Sequence, residues 1–226
     1  MSEAKKEDKN NEEPPIGIKW YHPAFLTATW FGSGKIPFAP GTMGSFFTFP
    51  LFILSHYLLA FSESEEQFTN LYLLCVTLLF FIGQWTTSIY MKRTGRHDPK
   101  EVVIDEVVGQ MIVFLSGFLL VANALEIFPK LYGTAEEPIS PPTISQVTEF
   151  FLNSPITIIY IGSTLVISFI CFVLFRIFDI WKPWPINWCD KNMKNSFGVM
   201  FDDIFAAVYA VIILYSFFLM LPFIIN

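Results

Sequence analysis

The sequence has little charge and little cysteine. Charged residues make up 15% of its 226 residues, and 14 of these are Lys or Arg against 20 Asp or Glu. The formal net charge of −6 argues against a nucleic-acid-binding protein, because such proteins need clustered basic residues to neutralise phosphates. The three cysteines, Cys75, Cys171 and Cys189, form no C-x-x-C pair, so neither a disulfide framework nor a zinc site is expected.

Apolar and aromatic residues dominate instead. Hydrophobic residues account for 53% of the chain and aromatic residues for 18%, and the mean hydropathy is +0.50. The charges cluster between long apolar runs, a pattern typical of chains that cross a bilayer with helices of about 20 residues. We therefore predict an all-α integral membrane protein with about five transmembrane helices. The predicted spans are residues 44–61, 69–91, 107–128, 156–176 and 204–225.

The first of these spans is the least regular. It contains His56 and follows Pro40 and Gly41, so a re-entrant or tilted segment is the alternative. Residues 1–15 mix both signs of charge and carry few apolar side chains, which predicts a disordered cytoplasmic tail. Residues 16–226 are expected to form a single membrane-embedded domain.

The basic residues fall on one side of the predicted membrane. Of the 14 Lys and Arg residues, all but Lys130 lie before the first span or flank the loops after the second and fourth spans. Positively charged loops stay in the cytoplasm, and carboxylates count little in this rule. We therefore expect a cytoplasmic N-terminus and an external C-terminus, with three polar segments on the cytoplasmic face.

The first polar segment, residues 32–45, reads GSGKIPFAPGTMGS. It carries hydroxyl groups at Ser33, Thr42 and Ser45, and the backbone amides of such a glycine-rich turn are able to cradle a phosphate. The spacing does not fit the P-loop motif, which also needs a preceding strand. An ordinary turn at a helix start explains the pattern equally well.

The second polar segment, RHDPKEVVIDEVVGQ, places the adjacent carboxylates Asp105 and Glu106 at the start of the third span. Carboxylates at that depth are costly unless they are paired or bind a metal. Asp98, Pro99 and Glu101 fit a helix N-cap, a first-turn proline and a capping-box glutamate. We expect that structural role for these three residues.

The third polar segment comprises FRIFDIWKPWPI, followed by GVMFDDI. Arg176 and Asp179 are three residues apart, so within a helix they share a face and could form a simple ion pair. Asp202 and Asp203 precede the last span, and the tryptophans of the segment suit a membrane-interface belt.

Together the three segments place five carboxylates at one membrane depth on three helices. Clustered carboxylates need cations, and oxygen ligands without Cys or His favour Mg²⁺ or Mn²⁺. The neighbouring His97, Arg176 and Lys182 could hold an anionic substrate. A carboxylate and metal cluster at headgroup level, beside cations and a glycine turn, indicates phosphate chemistry on a lipid.

Through these motifs the chain resembles the phosphatidylglycerophosphatase A family of bacterial membrane phosphatases, in the same order and spacing over about residues 30–226. The resemblance implies Mg²⁺-dependent hydrolysis of phosphatidylglycerol phosphate to phosphatidylglycerol and phosphate. It also implies a multi-pass protein of the bacterial inner membrane with a cytoplasmic active site. Residues 16–226 would then be one catalytic domain, with a phospholipid substrate and the bilayer as its partners.

The resemblance also implies roles for individual residues. The implied metal ligands are Asp105, Glu106, Asp202 and Asp203, with Asp179 as a further ligand or a proton-handling group. The implied phosphate-binding residues are Thr42, Ser45, His97, Arg176 and Lys182. The implied catalytic residues are Asp105, Asp179, Asp202 and Lys182. Either water or a carboxylate could attack the phosphorus atom.

Other classes of protein explain less of the pattern. A small cation transporter could use the same carboxylate cluster, but transporter sites usually lie near mid-membrane. A purely structural membrane subunit leaves the cluster unexplained. The D-x-D-x-T loop and the D-G-x-x-A-R core are missing, and Cys171 precedes Arg176 by one residue too few for a C-x₅-R phosphate cradle.

Overall fold

The computed structural model describes residues 17–59, 64–132 and 155–225, which are mainly helical and contain no strand. The described helices are α1 (Pro23–Ala28), α2 (Pro40–Phe46), α3 (Phe49–Leu59), α4 (Glu65–Thr94), α5 (Ile104–Tyr132), α6 (Pro155–Trp181), α7 (Ile186–Asn192) and α8 (Ser196–Ile225). A 3₁₀ turn, Ser33–Lys35, lies between α1 and α2. The predicted tail, residues 1–15, lies outside the described residues, as does most of the loop 129–155.

Four of the described helices are long and apolar enough to cross a bilayer. The spanning stretches are Glu65–Thr94, Ile104–Ala124, Gly162–Trp181 and Ser196–Met220. They coincide with the last four spans predicted from the apolar runs. The chain is therefore an all-α membrane protein, as the composition predicted.

The first predicted span, residues 44–61, is two short helices instead of one long helix. α2 ends at Phe46 and α3 begins at Phe49, so the predicted single helix is divided, and residues 60 and 61 of the prediction lie outside the described residues. At the break, the Thr48 hydroxyl donates to the carbonyl oxygen of Gly44 over 3.1 Å. A side chain thus satisfies a main-chain acceptor where the helix ends.

The sequence at both ends of α4 fixes its limits. The Ser64 hydroxyl accepts a hydrogen bond from the Gln67 amide over 3.1 Å, which caps the N-terminus. At the other end Gly95 adopts φ 66°, a left-handed conformation that terminates helices and that glycine adopts without strain. The first turn is acidic and the last turn basic, so both complement the helix dipole.

α5 is the central helix of the bundle. It packs against α6 and α8, which also pack against each other, and most of its spanning stretch is buried. Glycines permit the close approach, because a Cβ atom at Gly109 would lie 2.6 Å from the Phe175 ring. Two turns further along, a Cβ atom at Gly117 would lie 2.6 Å from the Cys171 sulfur. Small residues on one face of α5 therefore set its distance from α6.

α5 begins later in the sequence than the capping pattern at Asp98 predicted. α5 starts at Ile104, and before it the amide of Val103 donates to the carbonyl oxygen of Ala28 over 2.9 Å. This contact with the last residue of α1 keeps the chain non-helical up to that point. The N-cap role predicted for Asp98, and with it the capping-box role of Glu101, is therefore wrong.

Glu101 instead joins this segment to the glycine-rich turn. Its carboxylate accepts from Arg96 over 3.0 Å and from Lys35 over 3.4 Å. Partial burial acts to raise the pKa of Glu101, but hydrogen bonds and the two cations outweigh burial and lower that pKa. The backbone also lies close, because a Cβ atom at Gly34 would be 2.1 Å from the Glu101 carbonyl oxygen. Only glycine fits there without displacing the main chain.

The polar segments gather at one end of the bundle. α4 and α6 end where α5 and α8 begin, and the short helices α1, α2 and α7 pack against these ends. Trp20, Trp181, Trp184 and Trp188 are all exposed at this end. Exposed tryptophans are typical of the boundary between membrane and water.

Candidate active site

An open polar cavity of about 630 Å³ lies at this end of the bundle. Residues from all three polar segments line it. Its acidic lining residues are Asp98, Asp105, Glu106, Asp179, Asp190, Asp202 and Asp203. Its basic lining residues are His97, Lys100, Arg176, Lys182 and Lys194. The five carboxylates singled out in the sequence therefore meet around one space.

Asp105, Glu106 and Asp203 form the tightest acidic group. One oxygen from each carboxylate lies within 4.8 Å of the others. Asp105 Oδ1 and Glu106 Oε2 are buried and have no hydrogen-bond partner among the described residues. Buried carboxylate oxygens without donors are costly unless a cation lies between them. The oxygen-only donor set thus fits a hard divalent ion such as Mg²⁺.

Asp202, the fourth ligand implied by the resemblance, is not in this group of three. Its Oδ2 atom accepts a hydrogen bond from Lys182 Nζ over 2.8 Å. Asp202 is 5% exposed and lines the same cavity. The structure therefore shows Asp202 as the partner of a cation.

The glycine-rich segment forms a wall of the cavity beside Glu106. Gly41 and Thr42 both line the cavity. A Cβ atom at Gly41 would lie 2.2 Å from Glu106 Oε1 and 3.2 Å from Arg176 Nη2. The absence of a side chain at position 41 therefore lets the Glu106 carboxylate and the Arg176 guanidinium lie against the backbone of α2.

Arg176 is fixed by neighbours on two helices. Its Nη1 atom forms an ion pair with Asp179 one turn along α6, which is the local pairing that their spacing allowed. The same atom lies 3.4 Å from the Ser45 hydroxyl oxygen of α2. Ser45 is fully buried, donates to the Gly41 carbonyl over 3.1 Å and does not line the cavity. Its position suits holding Arg176 better than touching a phosphate.

Lys182 lies just past the end of α6, between two carboxylates. Its Nζ atom donates to Asp190 Oδ1 and to Asp202 Oδ2, each over 2.8 Å. Burial acts to lower the pKa of Lys182, but the two carboxylates outweigh burial and raise that pKa above the ordinary lysine value. The ammonium group therefore stays charged at neutral pH.

His97 and Thr42, which were predicted to bind phosphate, line the cavity, and three further charged residues there were assigned no role from the sequence. These are Lys100, Asp190 and Lys194. Lys100 and Lys194 carry no ion pair within the described part of the chain. The signal for Asp190 was weak, because contact with Lys182 depends on α7 turning back beside α8, which no local pattern in the sequence reveals.

Four long apolar helices with a carboxylate-lined cavity at one end of their bundle define an α-helical membrane enzyme. Comparison with known proteins identifies the family. The chain belongs to the phosphatidylglycerophosphatase A family, because the sequence model of that family matches residues 26–218. This confirms the resemblance carried by the three polar segments and places the chain among phosphatases.

Individual relatives agree with the family match. The chain is 31% identical over 198 residues to phosphatidylglycerophosphatase A of Escherichia coli, covering 88% of this chain and 85% of the relative. It is 30% identical over 199 residues to the Haemophilus influenzae protein of the same name, covering 88% and 91%. A Bacteroides thetaiotaomicron protein named as a candidate phosphatidylinositol-3-phosphatase is 31% identical over 189 residues, covering 84% and 89%. No solved structure matches the chain significantly.

Proposed function

We propose that this protein hydrolyses phosphatidylglycerol phosphate to phosphatidylglycerol and inorganic phosphate, with Mg²⁺, at the cytoplasmic face of a bacterial inner membrane. The observation that carries the proposal is the group of Asp105, Glu106 and Asp203, whose buried oxygens face a cavity lined by fixed cations. The names of the Escherichia coli and Haemophilus influenzae relatives supply the substrate.

Asp105, Glu106 and Asp203 would hold the Mg²⁺, with Asp202 as a further candidate beside them. When bound, the ion would neutralise charge on the phosphate oxygens and favour attack on phosphorus. Mn²⁺ has the same preference for oxygen ligands and is the alternative ion.

The chain itself supplies cations and hydroxyls for the phosphate. Arg176 and Lys182 are both held by carboxylates, so their charges stay in place while negative charge develops on the transferred group. Thr42 and His97 line the same cavity and would donate further hydrogen bonds. Asp179 orients Arg176 through its ion pair, and it is also a candidate to accept or return a proton.

Hydrolysis requires that the bond between phosphorus and the glycerol oxygen breaks while a water oxygen is added. The leaving oxygen must take up a proton, and the attacking water must lose one. The attacking group is either water itself or one of the cavity carboxylates, with water then releasing the phosphate from that carboxylate. The cavity volume of about 630 Å³ leaves room for a phosphorylated glycerol headgroup.

The cytoplasmic location rests on the distribution of charge. The cavity end carries the loops that are rich in Lys and Arg, whereas the first two turns of α4 at the opposite end contain no Lys or Arg. Exposed tryptophans at the cavity end support a position level with the lipid headgroups. A phosphate on a lipid headgroup would then reach the carboxylates without leaving the membrane surface.

A phosphorylated inositol lipid is a second candidate substrate. The Bacteroides thetaiotaomicron relative is about as similar to the chain as the other two, and its name points to phosphatidylinositol 3-phosphate. In both candidate lipids a phosphodiester joins a polyol headgroup to the lipid, and the polyol carries a second phosphate as a monoester. The assay should therefore offer both lipids.

The test is phosphate release by the full-length protein purified in detergent. We expect release from phosphatidylglycerol phosphate with Mg²⁺ and none with EDTA. Asp203→Asn should lower the rate by about 100-fold or more, because it removes a charge on which the metal depends. Glu66→Gln is the matched control, since Glu66 is an exposed carboxylate at the opposite end of α4, and it should retain the parent rate.

The other outcomes are equally informative. Faster release from phosphatidylinositol 3-phosphate would replace the substrate but keep the phosphatase. Release that persists in EDTA would contradict the metal dependence. No release from either lipid by well-folded protein would contradict the proposal and favour a cation transporter that uses the same carboxylates.

A further inference from the structure

Asp190 is a cavity carboxylate to which neither the sequence motifs nor the proposed chemistry assigns a role. It lies on α7, a short helix that packs against α8. Its side chain is 38% exposed, and its Oδ1 atom accepts a hydrogen bond from Lys182 Nζ. A carboxylate close to where an anionic substrate binds is electrostatically unfavourable. Its presence there therefore needs a compensating role.

The geometry around Lys182 suggests that role. Asp190 of α7 and Asp202 of α8 bind the same ammonium group from two helices, each over 2.8 Å. An ammonium group has three N–H donors, so two carboxylates leave one donor for the cavity. The Lys182 side chain is 29% exposed, which leaves part of it accessible to a ligand.

The backbone at Lys182 is also unusual. Its φ angle is 46°, in the left-handed region that residues other than glycine rarely adopt. The Lys182 amide still donates to the carbonyl oxygen of Phe178 over 2.9 Å, so the turn continues the end of α6. Such a conformation persists where the surroundings hold it. Here Asp190 and Asp202 hold the ammonium end of the Lys182 side chain, whose backbone forms this turn.

We propose that Asp190 is a positioning residue that holds the Lys182 ammonium at the cavity for the substrate phosphate, an inference that rests on the proposed phosphatase function. A lysine bound by one carboxylate can still rotate about its four-carbon stem. A second carboxylate on another helix removes that freedom before the substrate arrives. The binding of phosphate then does not have to order the side chain.

The simpler reading is an exposed ion pair without effect on the site, as many such pairs are. A second simple reading is that Asp190 acts only through its charge. Asp98 serves as a control that distinguishes an effect of charge from an effect on the position of Lys182. It is an exposed carboxylate that lines the same cavity and has no ion pair among the described residues. Asp98→Ala removes the same charge and leaves Lys182 bound.

The experiment compares Asp190→Ala, Asp190→Asn, Asp98→Ala, Lys182→Ala and the double variant of Asp190 and Lys182, each full length in detergent. Two quantities are measured: kcat/KM for phosphatidylglycerol phosphate with Mg²⁺, and calorimetric binding of inorganic phosphate. We expect Asp190→Ala to reduce both by roughly tenfold, since the ammonium must then be ordered by the ligand. Asp190→Asn keeps an acceptor and should lose less, while Asp98→Ala should not weaken either quantity.

The double variant is decisive. If Asp190 acts through Lys182, adding Asp190→Ala to Lys182→Ala should change neither quantity further. An equal loss in both backgrounds, an equal loss in Asp98→Ala, or no loss in Asp190→Ala would overturn the proposal. A parent protein that binds phosphate but hydrolyses neither lipid would instead contradict the proposed function, and phosphate binding would still test Asp190. A parent that neither binds phosphate nor hydrolyses either lipid would overturn both.

Discussion

At Gly41 the backbone of α2 comes close to the acidic group of the cavity. A Cβ atom there would lie 2.2 Å from Glu106 Oε1, at the free end of a flexible side chain. Such a clash is relieved by moving the carboxylate and not the helices. The geometry therefore separates an effect on activity from an effect on folding.

We expect Gly41→Ala to lower phosphate release by about 100-fold, because displacing a group at the reacting centre by about 1 Å costs that much. The midpoint of thermal unfolding in detergent should remain close to that of the parent. Gly162→Ala is the matched control, since a Cβ atom at Gly162 of α6 meets nothing within 4 Å. Full activity in Gly41→Ala would show that the Glu106 position is unimportant.

Single residues could be recognised in the sequence where their chemistry is unusual for a membrane helix, and the structure brings three of them together. Asp105, Glu106 and Asp203 stood out because carboxylates at the ends of apolar spans are costly without partners. Ser45 and Asp190 were harder to interpret, because their contacts come from other helices. A hydroxyl in a glycine-rich turn suits phosphate binding and helix packing equally, and only the fold shows Ser45 against Arg176.

Among the helices, the contact between α5 and its neighbours depends on two glycines on one face of α5. A Cβ atom at Gly109 would lie 2.6 Å from the Phe175 ring and 3.0 Å from the backbone oxygen of Asp203. Phe175 is fully buried, so its ring has little space to move. At Gly117 the close atom is the Cys171 sulfur, and the next contact is 3.6 Å away.

These contacts predict different results for two substitutions of the same kind. Gly109→Ala should lower the free energy of unfolding by about 1–3 kcal/mol and also reduce activity per folded molecule, because it presses on the backbone of Asp203. Gly117→Ala should affect stability alone. Thermal unfolding and metal-dependent phosphate release, measured on the same samples, check both. Equal loss of activity in the two variants would contradict this division.

Helices were predicted from apolar length with more success than from local start signals. The last four spans were predicted because a run of about 20 apolar residues in a bilayer has no water to bind its backbone groups. Those groups must then hydrogen-bond to one another, which a helix achieves. The capping pattern at Asp98 failed because a tertiary hydrogen bond from Val103 to Ala28 delays α5 until Ile104. The first predicted span is divided into two helices because the side chain of Thr48 and the neighbouring Pro50 permit a break that hydropathy does not register.

For the molecule as a whole, the distribution of basic residues predicts its orientation. The two ends of α4 offer a direct test, because Glu66 lies in its first turn and Lys92 in its last turn, and both are exposed. In right-side-out vesicles, a thiol reagent that does not cross membranes should label Glu66→Cys. It should label Lys92→Cys only after the membrane is permeabilised.

The unmodified protein is the control for labelling of Cys75, Cys171 and Cys189. Cys171 and Cys189 are buried, and Cys75 is exposed within a membrane span, so we expect this background to be low. The reverse pattern at Glu66 and Lys92 would place the cavity on the external face and contradict the proposed location.

The exposed tryptophans have a consequence for how substrate is supplied. Trp181 and Trp184 are 71% and 78% exposed and lie close in the sequence to Lys182, which lines the cavity, and exposed tryptophans favour the level of the headgroups. A lipid substrate would therefore arrive by diffusion within the plane of the leaflet and not from solution. The turnover rate would then follow the mole fraction of substrate among the surrounding lipids, so the composition of the membrane itself would set how fast each molecule works.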